Sequence, residues 1–206
     1  MTVVINGTTG ITTPSPVVLE GSTSGTITLA APAVAGSTTQ TLVNVTGTLA
    51  PIVSGTAVTA SGTSVDFTSI PSWVKRITVA FSGVSTNGSA NLQVQIGSTS
   101  FTIAGYGGGC SINSSNATAT TGFLTSNGTA VSSSFHGAVV LSLVNLSANL
   151  WSSNGVLSSN AGTIGVHVSG GSIALAGTLD RVRVIASATG SPADTFDAGT
   201  INIIYE

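Results

Sequence analysis

Few side chains in this sequence could carry chemistry. His136 and His167 are the only imidazoles. His136 lies in Ser134-Phe135-His136-Gly137, and His167 sits between Val166 and Val168 inside a predicted strand. Neither has a cysteine beside it, and no G-x-S-x-G nucleophile elbow occurs, so both are expected to be surface or packed polar groups. Cys110 is the single cysteine, which excludes an internal disulfide and a thiolate metal cluster and fits a chain made in a reducing cytoplasm. It closes the run Gly107-Gly108-Gly109-Cys110, which lacks the Lys-Ser/Thr ending and the following helix of a phosphate loop. Glycoside hydrolysis needs two carboxylates across the scissile bond. Asp194 and Asp197 are the candidate pair, but they flank Thr195-Phe196 beside a strand, where turn chemistry is the simpler expectation. These residues point to no catalytic residue, no metal and no cofactor.

Binding is easier to build than catalysis. Tyr106 beside the glycine run and Trp151 beside Ser152-Ser153-Asn154 are the candidate platforms on which a glycan or receptor sugar would stack; burial as core or interface anchors is the preferred alternative. Trp73, after Pro71, is expected to be a corner residue. The charges are so sparse that each should be paired: Asp66 and Asp180 are expected partners for Lys75, Arg76, Arg181 or Arg183, fixing register or a subunit contact.

The background is unusual. Of 206 residues, 5% are charged, against roughly 25% in an average soluble protein, and the net charge is -2. Hydroxyls and amides must therefore form most of the surface. The 41% of hydrophobic residues then favours burial against identical copies. Without a basic patch, nucleic acid is an unexpected partner. Without an apolar run near about 20 residues, membrane insertion is also unexpected. The start, Met1 to Asn6, lacks the basic and apolar regions of a secretory signal.

The elements that must position these groups read as short strands. β-branched residues dominate, Gly, Asn and Ser punctuate, and no long 3.6-residue period appears. Residues 1–55 contain Pro14, Pro16, Pro32 and Pro51 and no aromatic residue. They read as an N-terminal β arm with strands at Thr26–Leu29 and Thr39–Val43, too poor in apolar bulk for its own core. Residues 56–206 read as an antiparallel β-sandwich, jelly-roll-like, with Ile77, Val79 and Phe81 on one strand face. Asn87-Gly88 predicts a hairpin leading into the alternating strand Leu92–Ile96, and Ser100–Tyr106 is the next strand. A soft segment from Gly107 to about Thr120 follows. Further strands are expected at Ala138–Leu146, Thr163–Val168, Ser172–Ala176, Leu179–Ala186 and Thr200–Tyr205.

Three stretches carry a resemblance. Residues 21–48 read GSTSGTITLAAPAVAGSTTQTLVNVTGT, residues 61–88 read SGTSVDFTSIPSWVKRITVAFSGVSTNG, and LDRVRV at 179–184 with FDAGTINIIYE at 196–206 close the chain. The first resembles stem-proximal repeats of bacteriophage tail fibres, and the others resemble a module of phage and prophage tail proteins. The likeness thins between about Gly107 and Gly162. It implies a virion structural protein, non-catalytic and usually a homotrimer, made in the bacterial host cytoplasm. Other virion proteins would be partners through the arm, and a host cell-surface glycan a further partner in host attachment. No long shaft is present, and His167 between two valines is not the His-x-His pattern of some fibre needles. The alternatives are a capsid decoration or head-fibre protein and, third, a polysaccharide depolymerase.

Overall fold

The computed structural model describes residues 17–20, 26–29, 51–161 and 164–206. The chain divides into two units, Met1–Thr48 and Leu49–Glu206. In the first, strands β1 (Val17–Glu20) and β2 (Thr26–Leu29) pair antiparallel, with Val17 opposite Leu29 and Glu20 opposite Thr26. The expected strand at Thr26–Leu29 is therefore present. The one at Thr39–Val43 lies outside the described residues.

The second unit begins at Leu49, ahead of the expected boundary at 56. Strand β3 (Val53–Ser54) already pairs with the chain's last strand, β16 (Phe196–Tyr205). Between them run β4 (Val58–Thr59), β5 (Val65–Thr68), β6 (Arg76–Thr86), β7 (Leu92–Ser98), β8 (Ser100–Phe101), β9 (Gly107–Ile112) and β10 (Ser115–Thr118). They are followed by β11 (Phe123–Leu124), β12 (Phe135–Asn145), β13 (Leu150–Ser159), β14 (Gly165–Ala174) and β15 (Arg181–Ala186). No helix occurs among the described residues. A nine-stranded sheet has the order β10-β9-β14-β13-β12-β6-β16-β3, with β4 also on β16. A five-stranded sheet has the order β11-β7-β15-β5, with β8 on β7. Every pairing is antiparallel, and the two sheets pack face to face as the expected β-sandwich.

Alternation builds the core. Ile77, Val79 and Phe81 of β6 point inward with Val139 and Leu141 of β12 and Ile201 and Ile203 of β16. They meet Val65, Leu92, Val94, Ile96, Val182 and Val184 from the smaller sheet. Burying each such side chain contributes about 1.5–3 kcal/mol. Arg76, Thr78 and Ser82, one residue out of phase with the inward set on β6, are exposed or half-buried.

Four local expectations need correcting. Asn87-Gly88 does not close a hairpin. Strand β6 already has β12 and β16 as neighbours, so the chain crosses from the large sheet to the small one. The stretch Gly107–Thr120 is no soft loop but the hairpin β9–β10. Of Ser100–Tyr106, only Ser100 and Phe101 are strand. Finally, one continuous strand, β14, replaces the two expected around Gly170-Gly171, and β13 was not foreseen at all.

Candidate functional site

Tyr106 and Trp151 are both 2% exposed, so neither ring offers a face for a sugar. The Tyr106 hydroxyl accepts from the Ile96 amide at 2.9 Å and lies 3.0 Å from the Thr102 carbonyl, to which it donates. Its ring meets Phe123 edge-on at 4.9 Å. Burial raises its phenol far above the ordinary value, with the Ile96 backbone bond opposing. Trp151 lies on the inward face of β13, and its indole N–H has no hydrogen-bond partner among the described residues. Both residues are core anchors. The large aromatic at the surface is instead Trp73, 40% exposed, which leans on Tyr205 with ring centroids 5.8 Å apart.

The histidines separate by face. His136 is exposed, and its Nδ1 accepts from the Gly83 amide at 3.2 Å, where β6 bulges and Gly83 takes φ 65°. His167 is buried on the inward face of β14, with Ser159 Oγ 3.1 Å from its Nε2. A Ser–His contact of this length invites a catalytic reading. The proton is in the wrong place for it. Nδ1 accepts from the Asn127 amide at 3.1 Å, so in the neutral ring Nε2 carries the hydrogen and donates to Ser159. No carboxylate holds the opposite tautomer, and burial lowers the imidazole's affinity for a proton below its ordinary 6.5.

Asp194 and Asp197 are both taken up in hydrogen bonds. Asp194 Oδ2 accepts from the Ala90 amide at 2.6 Å, and Asp197 accepts from the Ser85 hydroxyl. Asn87 bonds Thr195 through both its amide and its side chain. The connection between the sheets is thereby tied to β16 and the loop before it by bonds between distant parts of the chain, rather than by the local turn bonds expected of these aspartates. Cys110 is buried, and burial pushes its thiol up to about 11. Among the described residues no group of three or more His, Cys, Asp or Glu could hold a metal ion.

Charge is concentrated on the outer face of the small sheet. Arg183 forks onto Asp66 with bonds of 2.7 and 2.6 Å, and its guanidinium lies 3.9 Å from the Phe101 ring centroid. Arg181 pairs with Asp180 at 2.6 Å, and Asp180 also accepts from the Thr99 amide. The Arg181 hydrogen bond holds the Asp180 carboxyl below its usual 3.8, against a smaller opposing effect of burial. Asp66 and Asp180 thus pair with the arginines of β15. Arg76 pairs with Glu206, a partner not foreseen. Lys75 has no carboxylate partner among the described residues; its Nζ donates to the Ser72 carbonyl at 3.3 Å.

Gln93 and Gln95 are the polar residues of the alternating strand Leu92–Ile96, the positions that face water when one side of a sheet is solvated. They are 0% and 1% exposed instead. Segments around Thr121 and Gly190 close over the small sheet, and the glutamines bind them. Gln93 Nε2 donates to the Ser187 carbonyl, and Gln95 Nε2 donates to the Thr121 and Gly190 carbonyls, at 2.9–3.0 Å.

The large sheet's outer face is the opposite case. No Asp, Glu, Lys or Arg occurs in β9, β10, β12, β13 or β14. Val156, Val166 and Val168 are 53–56% exposed there. Sequence reasoning missed this surface, though Val166-x-Val168 around an inward His167 was its visible signal. No protein-family model, curated protein or solved structure matches the chain.

Proposed function

We propose that this chain is a structural, non-catalytic subunit of a bacteriophage virion, a tail-fibre or short-appendage protein assembled from several copies. One observation carries the assembly part: strands β9, β10, β12, β13 and β14 hold no ionic group, and Val156, Val166 and Val168 stand half-exposed on their outer face, Val156 directly opposite Val168. Monomeric proteins rarely leave such apolar patches uncovered. The bacteriophage part rests on the resemblance of residues 21–48, 61–88, 179–184 and 196–206. The polar groups point the same way. Glutamines, aspartates and histidines are committed to hydrogen bonds that brace loops and bulges, leaving a rigid block suited to mechanical load.

Host attachment through a sugar is better assigned to Trp73 than to the buried Tyr106 and Trp151. The test is placement on intact particles. Antibody against this chain, followed by gold labelling and electron microscopy, should mark the tail or a short appendage. Labelling confined to the head would move the chain to the decoration class. Particles without label would overturn the virion assignment.

A further inference from the structure

We propose that the outer face of the nine-stranded sheet, centred on Val156, Val166 and Val168, is the surface through which one copy of this chain packs against another. The inference rests on the assembly reading above and names its contact.

The register makes the patch continuous. Ala80, Ala138, Val156, Val168 and Ser111 stand in one cross-strand row over β6, β12, β13, β14 and β9. Val166 lies beside that row, opposite Ser158. Small side chains flank the valines, so a second sheet can approach to the usual face-to-face spacing of about 10 Å. Neighbouring strands lie about 4.8 Å apart and rise about 3.3 Å per residue, so these strands present on the order of 800 Å², what one partner buries in a standard interface.

Electrostatics select the occupant. Asp, Glu, Lys and Arg are all absent from 77–179, so the strands from β7 to β14 bring no charge to be stripped of water or to repel its own image. The ionic groups at the β6 end of the face, Arg76 and Glu206, are already paired with each other, so an acidic or basic partner would find no free charge around the valines, whereas a second copy brings the same hydroxyls and methyls. The smaller sheet offers no equivalent, because its outer face is closed by loops over Gln93 and Gln95 and by the Arg–Asp pairs.

Sedimentation of the full chain reads the outcome. The unaltered protein should move as a multi-copy species, and Val156→Lys/Val168→Lys as single copies. Val131→Lys, equally exposed but in a loop, should behave like the unaltered chain. Circular dichroism melting checks that each variant folds. Val168→Cys gives a reading that does not depend on the lysines, since Cys110 is buried. Mild oxidation should join copies of that variant through the introduced thiol. A lysine variant that folds and stays multi-copy, with no cross-link in Val168→Cys, would overturn this face but leave the assembly reading intact. An unaltered chain that sediments as single copies, with a maleimide reacting freely at the thiol of Val168→Cys, would overturn both. Single copies in which that thiol is protected would place the chain's own first unit on the face, and that too would overturn the proposal.

Discussion

At the scale of the residue, His167 shows how a titratable side chain is turned into scaffold. Its ring packs edge-on against Phe135 at 5.3 Å, and both nitrogens are committed to neutral hydrogen bonds. Above pH 6.5 folded and unfolded chains both hold a neutral imidazole, and this group gives no pH dependence. As pH falls from 6.5 through the lowered folded value, the unfolded chain takes up a proton that the folded chain refuses, and stability declines. Urea midpoints measured across that window should fall in the unaltered chain and stay flatter in His167→Gln. Asp180 acts in a separate window: its contribution is present above 3.8 and is lost as pH falls through its lower folded value. Carboxylate pairing of the arginines was legible in the sequence, because an arginine in a half-covered strand needs a carboxylate; the same expectation for Lys75 does not hold among the described residues. Which carboxylate was not, since Arg76–Glu206 and Arg183–Asp66 depend on strands meeting from distant parts of the chain. The burial of Gln93 and Gln95 was equally hidden, because only loop placement decides it.

At the scale of the element, glycine marks strands here rather than loops. A Cβ on Gly108 would stand 2.2 Å from the Gly170 carbonyl oxygen and 2.5 Å from the Gly171 Cα, and Gly108 holds φ +149°. The β9–β14 ladder therefore needs glycine on both strands. Gly108→Val should cost about 1–3 kcal/mol, from overpacking and backbone strain together. A lower thermal midpoint, with intact β-sheet circular dichroism below it, would be the measured sign. Gly107-Gly108-Gly109 reads in the sequence as a soft segment and Gly170-Gly171 as a break, since local propensity penalises glycine in strands and cannot see that two such runs face each other. Strands with bulky alternation were legible: Ile77-x-Val79-x-Phe81 sits in the core as expected. Strand β13 was not, because Leu150-Trp151-Ser152-Ser153-Asn154-Gly155 carries a turn dipeptide in the centre of a sheet.

At the scale of the whole molecule, scarcity of charge is the governing property. Association driven by apolar and hydroxyl contact is insensitive to screening, whereas ion-paired interfaces weaken as the Debye length shrinks. Sedimentation from low to molar sodium chloride should therefore leave the multi-copy species unchanged, and sulfate should favour it. A marked release of single copies by salt would count against the valine face. The sandwich architecture was readable from composition and alternation, which fix what must be covered. The free face was not, because covering one side of a sheet says nothing about the other until its strand neighbours are known. The same scarcity leaves Lys75 as the chain's single lysine, held at the Ser72 corner. Amine-directed coupling through a side chain can therefore attach a dye, a bead or a surface at one corner only. Every copy so tethered would present the same orientation, with the valines left open to meet whatever is offered.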